Sequence, residues 1–266
     1  MSRILYKYLD ITGAKYMIGA TKPLTSPNLQ FTNASQLNDP FDCHPKLLDH
    51  SHLSEDVLRI PDEEYHKFMV EKSECDAENL RNDTWLCSLS KVNNSILMWS
   101  HYCQNHSGIC IGLNMENVHK SVPQLFSSIY CELLEYEVQY KDILERPILN
   151  RSPWDYQLCT KADEWRYEQE VRLIVYKPSG FYEKYSNEQI EASKRGEMLD
   201  GRAIRQYMPL NSDCFDSVYF GINIDKKEKE KISRYMQEHF PETKLYQMTI
   251  DPDALRLKAE LITNKR

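Results

Sequence analysis

The sequence predicts an α+β fold, in which helices flank a mixed or mostly antiparallel sheet. Segments with the alternation or apolar runs of strands are interspersed with segments of helical periodicity, and they follow no strict β-α-β rhythm. The chain has 17 tyrosines but only 8 glycines, and no repeat, low-complexity tract or Pro/Gly/Ser-rich linker divides it. Because its 266 residues also fit the size limit of one hydrophobic core, we expect a single domain over residues 1–266.

The N-terminal third contains a strand, a turn and a helix. Residues 4–9 alternate apolar and polar side chains enough to form a first strand or a short helix. A second strand should end near Phe31, because residues 38–40 (Asn-Asp-Pro) are a strong turn signal. A helix is predicted over residues 61–81, where a proline and adjacent carboxylates suit the positive end of the helix dipole. We expect this helix to form part of a peripheral insertion at about residues 54–82.

The rest of the chain continues the mixture of strands and helices. Residues 94–95 can cap a helix whose apolar face carries Ile96, Trp99 and Cys103, and Gly108 is placed to end it. Further strands are predicted at residues 85–89, 109–113, 129–140, 168–176, 217–222 and 245–250. Further helices are predicted at residues 155–166 and 226–239.

Composition and charge narrow the classes of function. The net charge of −7 and the pI of about 5.7 give no whole-chain attraction to nucleic acid or to an anionic membrane, so neither is an expected partner. No run of 18 or more apolar residues occurs, and the N-terminal residues lack the apolar core of a signal peptide. The sequence therefore predicts a cytoplasmic protein. Its 8 cysteines, none of them in a Cys-x-x-Cys pair, should be reduced packing residues.

Three charged side chains alternate at the start of the strand predicted over residues 168–176. A two-residue period puts Glu168, Glu170 and Arg172 on one face of that strand and an apolar set on the other. Two carboxylates this close repel, which raises the pKa of one, while Arg172 can hold the other ionised. Such a pair can orient a ribose hydroxyl, polarise a leaving group or hold a divalent metal. The alternative interpretation is a solvated strand face stabilised by ion pairs.

A second polar cluster lies on the helix that carries Trp99. Helical spacing puts His101 on one face with Asn105, and Tyr102 on the next face with His106. Polar and aromatic side chains together can bind a nucleotide base by hydrogen bonding and stacking. The closely spaced Cys or His pairs of a structural zinc site do not occur here, so we assign no metal ligand to this cluster.

The turn at residues 38–40 forms the third cluster. It presents Asn38 and Asp39 outward, while Leu37 and Phe41 pack inward. Ordinary turn chemistry would explain these residues, but loops carry binding residues disproportionately. The Gly-x-x-x-x-Gly-Lys-Ser/Thr, Gly-x-Gly-x-x-Gly and Gly-x-Ser-x-Gly motifs are all absent from the sequence. P-loop NTPases, Rossmann dehydrogenases and α/β-hydrolases are therefore disfavoured.

Several short blocks of residues follow one another in a specific order. They are LYKY at residues 5–8, FT at 31–32, LNDPFD at 37–42, CSLS at 87–90, MWSHY at 98–102, HSGICIG at 106–112, VQY at 138–140, Lys161, and WRYEQEVRL at 165–173. This series, which spans about residues 4–224, resembles the bacterial domain-of-unknown-function family 2971. The resemblance implies a prokaryotic cytosolic protein and supplies no activity.

A more distant resemblance concerns the Glu-Gln-Glu tripeptide that begins at Glu168. It is similar to the Glu-x-Glu strand of ADP-ribosyltransferases, whose last glutamate steadies the oxocarbenium-like ribose as nicotinamide leaves NAD. The resemblance implies Glu170 in that role and Glu168 as the residue that orients the acceptor, with Tyr6, Lys7 and Ser88 holding the dinucleotide. The chain departs from the family's pattern, because a first-strand Arg or His is absent unless Lys7 substitutes for it, and no Ser-Thr-Ser triplet follows.

The first hypothesis for function is an enzyme that acts on NAD or another nucleotide. It takes Glu170 as the central carboxylate, because a carboxylate close to the anomeric carbon stabilises developing positive charge. Arg172 and Lys7 would contact phosphates, and Tyr102 or Trp99 would lie near the base. NAD would be a substrate, and no other cofactor is assigned.

Two further hypotheses come from other classes. A metal-dependent nuclease or phosphodiesterase would use Asp39, Glu168 and Glu170 as oxygen ligands for Mg²⁺ or Mn²⁺. A non-enzymatic sensor or interaction module would bind a ligand or a protein partner in a polar, tyrosine-rich cleft. Both enzymatic hypotheses require Asn38, His101 and Glu170 to converge in space. A role alone or within a toxin or defence operon stays open.

Overall fold

The computed structural model describes residues 3–48, 63–121, 133–144, 152–176, 198–199 and 202–262. It confirms the α+β prediction, because helices flank a large sheet. The described helices are α1 (Ile11–Ile18), α2 (Glu63–Asn82), α3 (Ile96–Tyr102), α4 (Met115–Lys120), α5 (Pro153–Leu158) and α6 (Lys226–His239). Short 3₁₀ helices cover Ala34–Gln36, Pro45–Leu48, Asp163–Glu168 and Ser212–Cys214.

The described strands form one large sheet and two small ones. They are β1 (Ile4–Leu9), β2 (Asn28–Asn33), β3 (Thr84–Ser90), β4 (Ile109–Asn114), β5 (Leu133–Glu137), β6 (Gln139–Lys141), β7 (Thr160–Ala162), β8 (Glu170–Tyr176), β9 (Met198–Leu199), β10 (Arg202–Ala203), β11 (Arg205–Pro209), β12 (Phe215–Phe220), β13 (Lys244–Ile250) and β14 (Leu257–Leu261). The large sheet has ten strands in the order β11-β2-β3-β1-β4-β12-β13-β14, with β8 beside β3 and β5 beside β8. Its pairs are antiparallel except for the parallel pair β12–β13.

The sheet divides at β3. Strand β8 pairs along the whole of β3, from Thr84 to Ser90, and so occupies one edge of that strand. Strands β2 and β1 share the other edge: β2 pairs near Leu86, and β1 pairs only at Ser90. Because β2 and β1 meet β3 at different points along one edge, they diverge from each other and leave a cleft between them.

The core explains why the strand segments are so apolar. Phe31, Trp85 and Ile111 are completely buried in one cluster that runs through β2, β3 and β4. Sheet faces covered on both sides favour continuous runs of large apolar side chains. Helix α1 packs on the same cluster, and Asp10 caps its N-terminus by accepting a hydrogen bond from Gly13 N at 2.6 Å.

The prediction is wrong in the segment that precedes β8. Residues 155–166 do not form one helix, because α5 ends at Leu158 and is followed by β7 and the 3₁₀ helix Asp163–Glu168. The strand predicted from residue 168 begins at Glu170 instead. Gln169 has a φ of 44°, a left-handed conformation that ends the 3₁₀ helix and redirects the chain. Glu168 and Glu170 therefore belong to different elements.

Most of the other predicted elements are present with shifted ends. Strands β3, β4, β12 and β13 overlap their predicted ranges, α6 spans residues 226–239 as predicted, and residues 4–9 form a strand. Helix α3 ends at Tyr102, well before Gly108, because residues 104–106 take left-handed conformations with φ of 47–66°. Elements α1, α4, β9, β10, β11 and β14 were not predicted.

Two predictions fall partly outside the described residues. They are the insertion, at residues 54–62, and the strand over residues 129–140, at residues 129–132. The prediction of one strand is wrong over the described part, where β5 belongs to the large sheet and β6 pairs with β7 in a small one. The described part of the insertion is mainly α2, which buries Ala77 and Leu80. Within the described ranges, no helix combines the length and apolarity that a membrane crossing needs.

Candidate functional site

A cleft of about 500 Å³ lies where β1 and β2 diverge. Residues of β1, β2 and β3 line it, together with residues of α1, α3, β11 and the segment before β8. Ligand sites usually occupy concave pockets of this size, lined by apolar side chains with a few convergent polar groups. The cleft is therefore the candidate site.

Two glutamates and a lysine meet in the wall of the cleft. Lys161 Nζ lies 2.6 Å from Glu168 Oε2 and 3.2 Å from Glu170 Oε2, so one ammonium bridges both carboxylates. Asp42 Oδ2 lies 3.8 Å from the same ammonium. All four side chains are almost fully buried. Their charges therefore interact more strongly than charges at the surface would.

Arg172 closes this cluster from behind. Its Nε donates to Glu170 Oε1 at 2.8 Å, and its Nη2 donates to Asp42 Oδ2 at 2.7 Å. Its Nη1 donates to the Leu158 carbonyl at 2.6 Å. The guanidinium is completely buried and does not line the cleft. Arg172 therefore holds Glu170 and Asp42 in position and cannot contact a ligand in the cleft directly.

The backbone around Gln169 brings the two glutamates together. Ser90 Oγ donates to the Glu168 carbonyl at 2.6 Å, and Lys91 N donates to the Gln169 carbonyl at 3.1 Å. Glu170 is then paired with Ser90 in the β3–β8 ladder. The end of β3 thus fixes both sides of the left-handed turn.

The two glutamates have pKa values shifted in opposite directions. Burial raises the pKa of Glu168, and the charge of Lys161 only partly offsets that effect. Burial also acts to raise the pKa of Glu170, but Arg172 and Lys161 outweigh it and hold that pKa far below its usual range. A hydrogen bond from the Ser88 side chain lowers it further. Glu170 is therefore ionised at neutral pH. Glu168 takes up and releases its proton at a higher pH than an ordinary glutamate does.

Lys161 and Tyr102 keep their protons at neutral pH. Burial acts to lower the pKa of Lys161, but the charges of Glu170, Glu168 and Asp42 outweigh it and raise the pKa. Burial raises the pKa of Tyr102, and the nearby charge of Glu168 adds to this effect. The Tyr102 hydroxyl donates to Glu168 Oε1 at 2.5 Å. Both groups are thus hydrogen-bond donors to Glu168.

Helix α3 presents Tyr102 to the cleft. Ser95 caps its first turn by accepting a hydrogen bond from Met98 N at 3.4 Å. Met98 and Tyr102 are one turn apart and both line the cleft. Trp99 points the other way, is completely buried against Tyr8, and donates to a backbone carbonyl.

The structure brings seven of the predicted site residues to one cleft. They are Tyr6, Lys7, Asn38, Ser88, Tyr102, Glu168 and Glu170. Lys7 Nζ donates to the Ser88 carbonyl at 2.9 Å, so its ammonium is held at the β1–β3 edge.

Four predicted site residues do not line the cleft. Arg172 and Trp99 are completely buried and do not reach the cleft. The predicted phosphate contact by Arg172 and the predicted base contact by Trp99 are therefore wrong. Asp39 is buried, and its Oδ1 accepts a hydrogen bond from Phe41 N at 2.9 Å within the turn. His101 is exposed, and its Nδ1 lies 2.9 Å from the Tyr167 hydroxyl. Of the three residues whose convergence the enzymatic hypotheses required, Asn38 and Glu170 therefore line the cleft and His101 does not.

The proposed metal ligands do not form a metal site. No group of three or more His, Cys, Asp and Glu side chains in the described ranges has a geometry that could hold a metal ion. Lys161 occupies the space between Glu168 and Glu170 that a cation would take, and Asp39 lies away from the cleft wall. The donor set therefore fits an internal ion pair better than Mg²⁺ or Mn²⁺.

Sequence reasoning missed several residues of the cleft. Asp42 and Lys161 stand in recognised blocks, but only the fold reveals that they share one buried cluster with Glu170. Arg205 and Tyr207 also line the cleft, from β11. Their alternation with Gln206 and Met208 was a usable signal, because residues two apart on a strand share a face.

Comparisons with known proteins agree with one of the two resemblances. No curated protein and no solved structure matches the chain. A family model described as "Protein of unknown function (DUF2971)" matches residues 98–173, from α3 to β8. That segment supplies Tyr102, Lys161, Glu168 and Glu170 to the cleft. The resemblance to domain-of-unknown-function family 2971 is therefore confirmed over residues 98–173.

Proposed function

We propose that the cleft binds NAD or a related nucleotide and that its two glutamates act on the N-glycosidic bond, in ADP-ribosyl transfer or NAD hydrolysis. One observation carries the proposal: Glu168 and Glu170 share a single ammonium, yet their pKa values are shifted in opposite directions. Adjacent titratable groups with separated pKa values are the usual basis for distinct acid, base and electrostatic roles.

Glu170 suits the stabilisation of positive charge. When the bond between the ribose C1′ and the nicotinamide nitrogen breaks, the electron pair leaves with nicotinamide and the ribose becomes oxocarbenium-like. A carboxylate that is ionised before the reaction can stabilise this charge without rearrangement. Lys161 and Arg172 keep Glu170 ionised and fixed in orientation.

Glu168 suits the second half of the reaction. Water or an acceptor hydroxyl attacks C1′ and must lose a proton, which the Glu168 carboxylate can accept. The Tyr102 hydroxyl and the Lys161 ammonium contact different oxygens of Glu168, so they fix the plane of its carboxylate. The reaction balances without an external oxidant or reductant: NAD⁺ and water or an acceptor hydroxyl give neutral nicotinamide, the ADP-ribosyl product and one proton, which Glu168 accepts and then releases to solvent.

The experiment measures nicotinamide release from NAD by the purified chain and by Glu170→Gln and Tyr102→Phe. Glu170→Gln should lower the rate per folded molecule at least a hundredfold, because it removes the negative charge that stabilises the oxocarbenium-like ribose. Tyr102→Phe leaves the charge cluster intact and should lower the rate about tenfold, because it removes one hydrogen bond to Glu168. Thermal melting of each variant supplies the folded fraction.

Two outcomes would contradict the proposal. A Glu170→Gln variant that is folded and keeps more than a tenth of the wild-type rate would remove Glu170 from the chemistry. A wild-type chain that binds NAD and releases no nicotinamide would favour a non-enzymatic binding module. The metal-dependent alternative predicts that Mg²⁺ or Mn²⁺ raises the melting temperature, and that result would favour a phosphodiesterase.

A further inference from the structure

The outer wall of the cleft is a face of the β2–β11 pair that the roles proposed above leave unused. In this antiparallel pair Arg205 stands opposite Thr32, and Tyr207 stands opposite Gln30. All four side chains line the cleft. The other face of the pair carries core residues, namely Leu29, Phe31 and Met208. We call Gln30, Thr32, Arg205 and Tyr207 the outer face.

The outer face carries one cation, Arg205. Its side chain is exposed and forms no ion pair or hydrogen bond within the residues that the structure describes. The other members of the outer face are neutral. Four other arginines are paired with carboxylates: Arg3 with Glu135, Arg166 with Asp163, Arg172 with Asp42 and Glu170, and Arg256 with Asp251. Arg234 on α6 has no ion pair among the described residues either, but it does not line the cleft. An arginine fork that is free at the wall of a cleft suits a phosphate, which it can bind through two parallel hydrogen bonds.

Two half-exposed tyrosines line the cleft together with this cation. Tyr207 is 52% exposed and Tyr16 is 56% exposed, although both rings line the cleft. Asn28, which also lines the cleft, donates from its side chain to the Tyr16 carbonyl at 3.1 Å and ties the end of α1 to β2. Large rings left half uncovered beside a cleft can stack on a planar base.

We infer that the outer face, together with Tyr16 of α1, binds the phosphate and purine of the nucleotide, with Arg205 on the phosphate and Tyr207 or Tyr16 against the base. The inference rests on the proposed function, because it assigns the half of the substrate that lies away from Glu170. The Glu168–Glu170 end of the cleft is acidic, whereas the outer face is cationic and aromatic. One elongated ligand with the reacting ribose at one end and an adenosine diphosphate group at the other satisfies both ends. Adenosine, which lacks the phosphate, should bind more weakly than ADP.

The test is calorimetric binding of ADP and adenosine to the full chain and to variants. Arg205→Gln should weaken ADP binding at least tenfold and leave adenosine binding within twofold. Tyr207→Ala should weaken both ligands about tenfold, the size expected for one base–aromatic stack. Arg234→Gln changes an exposed arginine on α6 that does not line the cleft, so it should leave both affinities unchanged.

The outcomes separate this inference from the proposed function. If Arg205→Gln binds ADP as tightly as the wild type, the inference fails even when NAD is cleaved. If ADP binding depends on Arg205 but NAD releases no nicotinamide, the outer face binds the nucleotide as inferred and the proposed reaction fails. Binding of a polyglutamate peptide through Arg205 in place of ADP would overturn the nucleotide assignment, and absence of ADP binding in the wild type would do the same.

Discussion

The buried charges of the cleft wall are unequal in number. Asp42, Glu168 and Glu170 face two cations, Lys161 and Arg172. Because a buried charge without a partner is costly, the excess negative charge is relieved most easily at Glu168, whose pKa is raised by burial. The charge balance of the cluster thus explains why the pKa of Glu168 is raised while that of Glu170 is lowered.

Removing Arg172 should destabilise the fold strongly. Arg172→Gln leaves Asp42 and Glu170 buried with one cation fewer, and breaking a buried pair costs about 3–5 kcal/mol of unfolding free energy. The matched control is Arg166→Gln, which breaks an exposed pair with Asp163 and should leave stability unchanged. Urea unfolding of both variants checks this prediction. Equal losses in the two variants would contradict the structural role of Arg172.

Glu170 should also make stability depend on acid pH. Its pKa is depressed in the folded state, so its stabilisation is present above the unfolded value of about 4.3 and is lost as the pH falls toward the folded value. Gln resembles the protonated acid, so the stability gap between wild type and Glu170→Gln should narrow from about pH 5 to about pH 2. Urea titrations across this range measure the gap. A gap independent of pH would show that Glu170 does not act through its charge.

At the scale of single residues, the sequence pattern located the charged segment of the site but did not predict which of its side chains are buried. The alternation of Glu168, Glu170 and Arg172 correctly marked a charged segment. It could not reveal that Arg172 is buried, because strand periodicity distinguishes two faces without saying what covers each. Asp42, from a distant loop, covers the face that carries Arg172.

At the scale of elements, the turn after α3 depends on a contact with Gly221. Gln104, Asn105 and His106 all have positive φ, and a Cβ at Gly221 would lie 2.1 Å from the His106 carbonyl oxygen. The backbone N–H of Asn223 also donates to that oxygen, with an N···O distance of 3.0 Å. The turn directly follows Tyr102, so a shift here would move a residue of the cleft.

Gly221→Ala should therefore destabilise the protein and slow nicotinamide release. The added methyl group overlaps backbone, which cannot move as freely as a side chain, and overpacking of this kind costs about 1–3 kcal/mol. Gly13→Ala is the control for stability, because its nearest contacts, at 3.2 Å, are side-chain atoms and alanine favours the helix. Gly13 itself lines the cleft, so the rate of Gly221→Ala is compared with that of the wild type. A Gly221→Ala variant as stable as Gly13→Ala in thermal melts and as active as the wild type would contradict the prediction.

Regular elements were easier to predict than the segment that forms the site. Helix α6 has strong helical periodicity and a capping Asp225, so its limits were readable from local sequence. Residues 155–166 also looked helical, yet Thr160–Ala162 pairs in parallel with Gln139–Lys141. That strand pairing carries Lys161 toward both glutamates, and tertiary contacts of this kind override local propensity.

At the scale of the whole molecule, the cleft is a consequence of sheet topology. It exists because β2 and β1 pair with separate parts of one edge of β3. Residues far apart in sequence, such as Lys7, Glu170 and Arg205, meet only through this arrangement. The α+β class was predictable from local patterns, whereas the strand order was not, because it depends on contacts between distant segments.

The rate of nicotinamide release as a function of pH, at saturating NAD, tests the central claim most directly. Glu168 must be ionised to accept the proton of the attacking group, and its pKa is raised by burial. The rate should therefore fall on the acid side with a midpoint above the ordinary glutamate value of about 4.3, and Glu168→Gln should remove this dependence. Absence of nicotinamide release at every pH, or an acid limb unchanged in Glu168→Gln, would contradict the account.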